Sequence, residues 1–198
     1  DESNVVVDML SIGAFEVDAF AGLNGGTEDA IGLSLNDITF GFALLTDKLD
    51  AGRKWTALQA TDGGASFVGI PGVTIAADEV EVLINQAATD GSVVDFAAAP
   101  IGVPTGPESE ISLEMEGDRG ELIQAAGQVE INLFDFFQVS GGFAFEKSTD
   151  TVTLNTSDEV TVDKLTIGAS GVDAFAGLNG GTSDALGIEL SDITFGLA

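Results

Sequence analysis

The chain has 198 residues and is strongly acidic, with 33 aspartates and glutamates against 6 lysines and arginines and a net charge of −27. A surface of this sign repels nucleic-acid phosphates, so we expect no nucleic-acid partner. There is no cysteine and no histidine, which excludes disulfides, thiolate metal sites and the commonest general base of enzymes.

The first part of the chain predicts strands joined by tight turns. Residues 1–4 form a polar lead-in, and no signal peptide is visible in the opening residues. Residues 5–20 are typical of one or two strands, and the sequence Leu-Asn-Gly-Gly-Thr at 23–27 predicts a turn with positive φ angles. Residues 31–45 predict a strand pair or one long bent strand. Their apolar side chains stay on one side only if the phase slips at 36–37, which indicates a bulge or bend.

The rest of the chain continues the same pattern. Beyond a polar loop at 46–54, we expect strands at 55–60 and 65–70 split by a hairpin turn at 61–64, and strands at 73–75 and 80–84. Residues 88–110 are irregular, around a short strand at 93–96. A strand is expected at 111–115, followed by a second hairpin turn at 117–120. Further strands are expected at 122–137, 138–146, 152–154 and 160–167.

No window carries a sustained apolar stripe at helical spacing, and no apolar run is long enough for a membrane span. The sequence therefore predicts an all-β fold without substantial helix. We expect an elongated, repetitive antiparallel architecture, whether stacked sheets, a β-sandwich or a solenoid-like arrangement.

An internal repeat frames this architecture. Residues 5–43 and 160–198 align without gaps at an offset of 155, with 28 of 39 positions identical, and the block VDAFAGLNGGT occurs at both 17–27 and 172–182. We therefore divide the chain into one full repeat, 1–159, and the opening part of the next, 160–198. In the first copy the apolar strand runs on to residue 46, whereas the second stops inside it. We expect a window of a longer repetitive protein; the alternative is a natural end paired by a neighbouring subunit.

Three phrases carry a resemblance: IGASGVDAFAGLNGG at 167–181, FGFALLTD at 40–47 followed by WTAL at 55–58, and LFDFFQVSGGFAFEKST at 133–149. They are similar to a repeat of giant bacterial surface and secreted proteins, adhesin-like chains described as β-strand-repeat or calcium-binding proteins. The resemblance implies secretion, elongation and a role on the cell surface or in the extracellular matrix. It implies no catalytic residue.

Calcium is the one cofactor that the residues suggest. The repeated turn offers oxygen ligands, which Ca²⁺ prefers, from Asn24, Thr27, Glu28, Asp29, Asn179, Thr182 and Asp184. Asp18 and Asp173 lie beside these turns and are secondary candidates. The pattern lacks the third glycine of the calcium-binding nonapeptide and does not match an EF-hand. The alternative is a plain turn whose side chains bond backbone amides.

The densest aromatic stretch comprises Phe134, Phe136, Phe137, Phe143 and Phe145. These rings could form a core between sheets. They could also form a contact between repeats or identical chains, or a groove that carries lipid. Core packing is the ordinary explanation of such a stretch. Because Phe136 and Phe137 are adjacent and face opposite sides of a strand, a side that is not core must be buried by a neighbour, and for that side we predict a contact between repeats or chains.

The acidic pairs do not predict an enzyme. Asp78, Glu79 and Glu81, and likewise Glu114 and Glu116, resemble the paired carboxylates of glycosidases. With a single tryptophan and no tyrosine, a sugar-binding cleft is poorly supported, and a solvated sheet face explains them. We predict a non-enzymatic structural segment of an extracellular bacterial fibre or giant repetitive adhesin. The alternatives are a calcium-stiffened adhesin or ligand-binding module and a lipid-carrying β-groove.

Overall fold

The computed structural model describes residues 5–198, and the predicted all-β fold is confirmed there. Its strands are β1 (Val7–Leu23), β2 (Ile31–Asp47), β3 (Lys54–Asp62), β4 (Gly64–Val68), β5 (Val73–Gln86), β6 (Ile101–Gly106), β7 (Ser109–Leu113), β8 (Leu122–Leu133), β9 (Phe137–Thr153), β10 (Glu159–Leu178) and β11 (Leu186–Leu197). Within the described range the only helical element is one 3-10 turn, Gly117–Arg119, and no helix there could cross a membrane. The predicted polar lead-in at 1–4 lies outside the described residues.

Nine strands form one antiparallel sheet in the order β1-β2-β3-β5-β8-β9-β10-β11, and β4 pairs with both β2 and β5. Because β3 and β4 lie end to end between the same two neighbours, the sheet has eight rows that follow the chain in sequence. The predicted turn at 23–27 joins β1 to β2. Strands β6 and β7 form a separate two-stranded sheet inserted between β5 and β8.

Three local predictions are wrong. Residues 61–64 form a kink and no hairpin turn: Asp62 Oδ1 accepts a hydrogen bond of 2.9 Å from the Gly64 amide, and the chain continues along β2 in the same direction. The predicted hairpin turn at 117–120 is the 3-10 turn, which links β7 to a strand of the other sheet. Residues 93–96 are no strand, because the amides of Phe96 and Ala97 both donate to the carbonyl of Met115 in a loop.

The phase slip predicted at 36–37 is a β-bulge. Two residues, 36 and 37, lie opposite Asp18, and the Asp18 carboxylate accepts a 3.1 Å hydrogen bond from the Asp37 amide. A second bulge at Phe15–Glu16 on β1 lies opposite Thr39 and shifts the register in the opposite sense. The two bulges cancel, so the pairing register is the same on either side of them.

These bulges keep the apolar side chains of both halves of β1 and of β2 on one face of the sheet, which we call the open face. One line of paired residues on it runs across all eight rows of the sheet and contains Ala21, Leu33, Phe67, Ile75, Ile131, Val139, Ala174 and Leu190. A second such line contains Ala14, Phe40, Ala60, Val82, Ala125, Phe145, Ile167 and Leu197.

The core lies on the other face, which we call the covered face. There the insertion 87–121, with β6 and β7, packs on the first four rows of the sheet. The buried residues of this core are Ala43, Leu45, Trp55, Ala57, Ala88, Phe96, Val103, Leu113 and Met115. The Trp55 indole donates to the Ser92 carbonyl at 3.0 Å, which ties the insertion to β3.

Candidate functional site

The two candidate calcium loops have the same internal hydrogen bonds. In the first, the Thr27 hydroxyl donates to the Asn24 carbonyl at 2.9 Å, and the Asn24 amide group donates to the Asp29 carbonyl at 3.3 Å. In the second, Thr182 donates to the carbonyl of Asn179 at 2.8 Å. These bonds are those of a turn that satisfies its own backbone.

Folding also explains the glycines of these loops. Gly26 has a φ of 79°, a left-handed conformation that favours glycine. A Cβ on Gly25 would lie 2.6 Å from Cδ1 of Phe20, so the loop folds directly onto that ring. In the second copy Gly180 has the same relation to Phe175.

The acidic side chains of the candidate calcium loops are not grouped in threes. Within residues 5–198, no group of three or more acidic side chains is placed to hold a metal ion. The Asp18 carboxylate is engaged with the backbone of its bulge, and Asp173 has the same role at 3.0 Å from the Asp192 amide. Calcium binding at these loops stays a prediction.

The phenylalanines divide into two groups. Phe134 and Phe136 lie in the turn between β8 and β9, and their side chains are 68% and 56% exposed. Phe137, Phe143 and Phe145 lie on the open face, where their register partners on β8 are Leu133, Gly127 and Ala125. The predicted contact between repeats or chains is untested, but three of its five rings lie on a face that the described chain leaves uncovered.

The open face contains an apolar depression at the level of the bulges, with a volume of about 290 Å³. Its lining includes Phe143, Phe145, Ile167 and Gly127. Its walls contain almost no polar surface. This depression could receive an apolar side chain from a partner or a segment of an alkyl chain.

The extent of exposed surface distinguishes this chain from a compact monomer. Its accessible surface is 12249 Å² at a mass of 20.2 kDa, whereas a compact monomer of that mass has about 8,800 Å². On the open face, Leu10, Phe195 and Leu197 are exposed by 58%, 48% and 65%. The excess is as large as an obligate protein–protein interface.

The sequence did not reveal this face as a site, although its residues were visible. Leu10, Ile12 and Leu165 alternate with polar residues as core residues of any half-buried strand do. Alternation shows which side chains share a face, but it does not show whether a second layer covers them.

Two charged clusters brace the covered face. Arg53 pairs with the buried Asp47 and with Asp90, and its guanidinium lies 5.3 Å from the centre of the Trp55 ring. The amide of Leu49, followed by the Arg53 guanidinium, holds the pKa of Asp47 below its ordinary value. This cluster closes the end of the core between β2, β3 and the insertion.

The second cluster lies between β9 and β10. Burial raises the pKa of Glu146, but the Ser148 hydroxyl and the charges of Arg119 and Lys164 outweigh it, so the pKa is lowered. Lys164 also donates to Asp150 at 2.9 Å, which lowers the pKa of that carboxyl. The carboxylates of this cluster, Glu146 and Asp150, are thus paired with cationic side chains that join neighbouring strands.

The chain was compared with family models, curated proteins and solved structures, and none of them matches it.

Proposed function

We propose that this chain is a non-enzymatic structural segment of an extracellular bacterial fibre or giant adhesin-like protein, built by adding β repeats along one continuous sheet. The observation that carries the proposal is the uncovered apolar face. A single layer of sheet with this much exposed apolar surface gains stability when another layer covers it. The partner that fits is an identical sheet, because two such faces are complementary in chemistry.

The edges of the sheet support growth in a second direction. Strands β1 and β11 are its edge strands, and unpaired strand edges are templates for further pairing. The repeat begins again at β10, six rows from β1, which corresponds to an advance of about 29 Å per repeat. Such an array becomes longer with each repeat and keeps the same open face.

The net charge suits this role in a saline or calcium-rich environment. With a net charge of −27, two copies repel each other at low ionic strength, and screening removes most of the repulsion. An extracellular or cell-surface location rests on the sequence resemblance alone.

Sedimentation velocity of the full chain at rising concentration and at rising NaCl tests the proposal. We expect reversible association that strengthens with salt, and Leu10→Glu should abolish it by placing a charge on the open face. Leu49→Glu is the matched control, because Leu49 is 96% exposed in a loop away from that face. Negative-stain electron microscopy of the same samples should show filaments or laminated sheets. A wild-type chain that stays monomeric at high concentration in high salt would contradict the proposal.

The calcium-stiffened alternative is tested by measuring the melting temperature of the chain in CaCl₂ and in NaCl at equal ionic strength. A calcium-specific rise in melting temperature that disappears with Asp29→Asn and Asp184→Asn supports it, whereas equal effects of the two salts indicate screening alone. The lipid-carrying alternative rests on the apolar depression near Phe143. It predicts bound lipid in an organic extract of the purified protein, detected by mass spectrometry.

A further inference from the structure

The two copies of the repeat form the same hairpin, but only one of them is covered. Strand pair β10–β11 has the same register shifts as β1–β2, at Ala169/Val172 and Val172/Ala174. Its bulge residue Gly171 has a φ of 57°, close to the 50° of Glu16. The two hairpins are therefore equivalent in backbone structure, and they differ in what packs on their covered face.

On the first hairpin, two glycines make room for the insertion. A Cβ on Gly13 would lie 2.4 Å from the Pro104 carbonyl oxygen, and one on Gly41 would lie 2.4 Å from Cγ2 of Ile111. Neither glycine has a positive φ, so the backbone itself does not require them. They are needed because β6 and β7 lie directly against them.

On the second hairpin the same glycines are present without that reason. A Cβ on Gly168 would have its nearest neighbour at 3.7 Å, and one on Gly196 would have none within 4 Å. Neither has a positive φ, and glycine inside a strand weakens it. A strand glycine often marks a bulge, a bend or a close approach of another backbone, and at the equivalent positions of the first hairpin it is the approach of β6 and β7 that requires it.

The first hairpin shows which elements would approach Gly168 and Gly196. There, the outer edge of β2 pairs with β3 over Thr39–Thr46, and β6–β7 covers the adjoining face. The corresponding edge of β11 is the edge of the sheet. An occupant that reproduces both contacts must supply a strand like β3 and a hairpin like β6–β7, and residues 44–159 contain both.

We infer that β10–β11 binds a second β6–β7 hairpin on the face opposite the open face. This hairpin is supplied by a further copy of residues 44–159, which continues the sheet from the edge of β11. The inference rests on the proposed role as a repeat array and adds the contact that joins one repeat to the next. In this contact the insertion of each repeat packs on the opening hairpin of the same repeat, and that hairpin pairs with the last strand of the preceding repeat.

The test uses the full chain alone and the full chain continued after Ala198 by a second copy of residues 44–198. In the 198-residue chain, Gly41→Val should lower the melting temperature by at least about 2 °C through overpacking, whereas Gly196→Val should not lower it. The second result also shows that Gly196→Val folds.

In the continued chain, Trp55→Phe in the first copy leaves the second copy's tryptophan as the only indole. We expect that indole to be as protected from acrylamide quenching as Trp55 is in the 198-residue chain. Gly196→Val should remove this protection, and Leu197→Val, on the opposite face, should not. Acrylamide is neutral, so the acidic surface does not bias the measurement.

If Gly196→Val leaves the second indole fully protected, the inference is overturned. That result is distinct from failure of the proposed function, which would appear as chains that never associate in sedimentation whatever the protection of the indole.

Discussion

Replacing Phe96 by alanine removes the largest fully buried side chain among residues 5–198. Its ring belongs to the core between the insertion and the sheet, together with Trp55, Leu113 and Met115. A buried Phe→Ala change costs about 3–5 kcal/mol, which for a chain of this size lowers the melting temperature by about 6–20 °C. Because this ring holds the insertion on the sheet, we expect the insertion to detach before the sheet melts.

Two readouts separate detachment from global unfolding. Acrylamide quenching of Trp55 reports the insertion, and far-ultraviolet circular dichroism reports the sheet, so Phe96→Ala should shift the quenching transition to lower temperature than the dichroism transition. Phe134→Ala is the matched control, since that ring is 68% exposed and its removal should change stability by less than about 0.5 kcal/mol. If both readouts of Phe96→Ala coincide with those of the wild type, the insertion does not depend on this ring and the account of the core is wrong.

Three further changes test other parts of the structure. Glu16→Gly should stabilise the protein by about 1 kcal/mol, measured by urea denaturation, because Glu16 has a left-handed φ of 50° where the second copy has Gly171; a loss of stability would contradict this. Asp47→Asn should destabilise the protein at neutral pH. Because the pKa of Asp47 is lowered, its contribution is complete above the ordinary value of about 3.9 and is lost as the pH falls through the lowered pKa. The difference from the wild type should therefore shrink only below about pH 4, and a difference that is the same at every pH would refute the ion pair. Gly25→Ala should cost about 1–3 kcal/mol through its contact with Phe20, and this cost should disappear in a Phe20→Ala background; an equal cost in both backgrounds would place the strain elsewhere.

The sequence predicted those features that depend on side-chain alternation. The bulge at 36–37 was predictable because Leu35 and Ile38 remain on one face only if one extra residue lies between them. The turn at 23–27 was predictable because its asparagine and glycines suit left-handed conformations.

Features that depend on distant contacts were not predictable. The residues at 61–64 have the composition of a hairpin turn, but only pairing with β2 on both sides shows that the chain does not reverse there. Similarly, Val93, Val94 and Phe96 have strand propensity, but their segment is fixed as a loop by burial of Phe96 and by hydrogen bonds to Met115.

The candidate site shows the same limit. The acidic residues of the repeated loop were found from their type, yet their hydrogen bonds serve the turn itself. Predicting that the open face is uncovered requires the arrangement of the whole sheet, because no local sequence pattern indicates whether a second layer of the described chain packs on it.

The paired bulges have a consequence for how such a chain can be enlarged. A bulge on one strand alone changes the pairing register by one residue from one side of the bulge to the other, as between β9 and β10 at Ser170/Asp173. Since the bulges at Glu16 and Asp37 cancel, the register between the two strands of the hairpin is the same at both of its ends. A duplicated hairpin therefore keeps its own pairing and its own apolar face, while the strand beside it takes up the one-residue shift that β9 shows against β10.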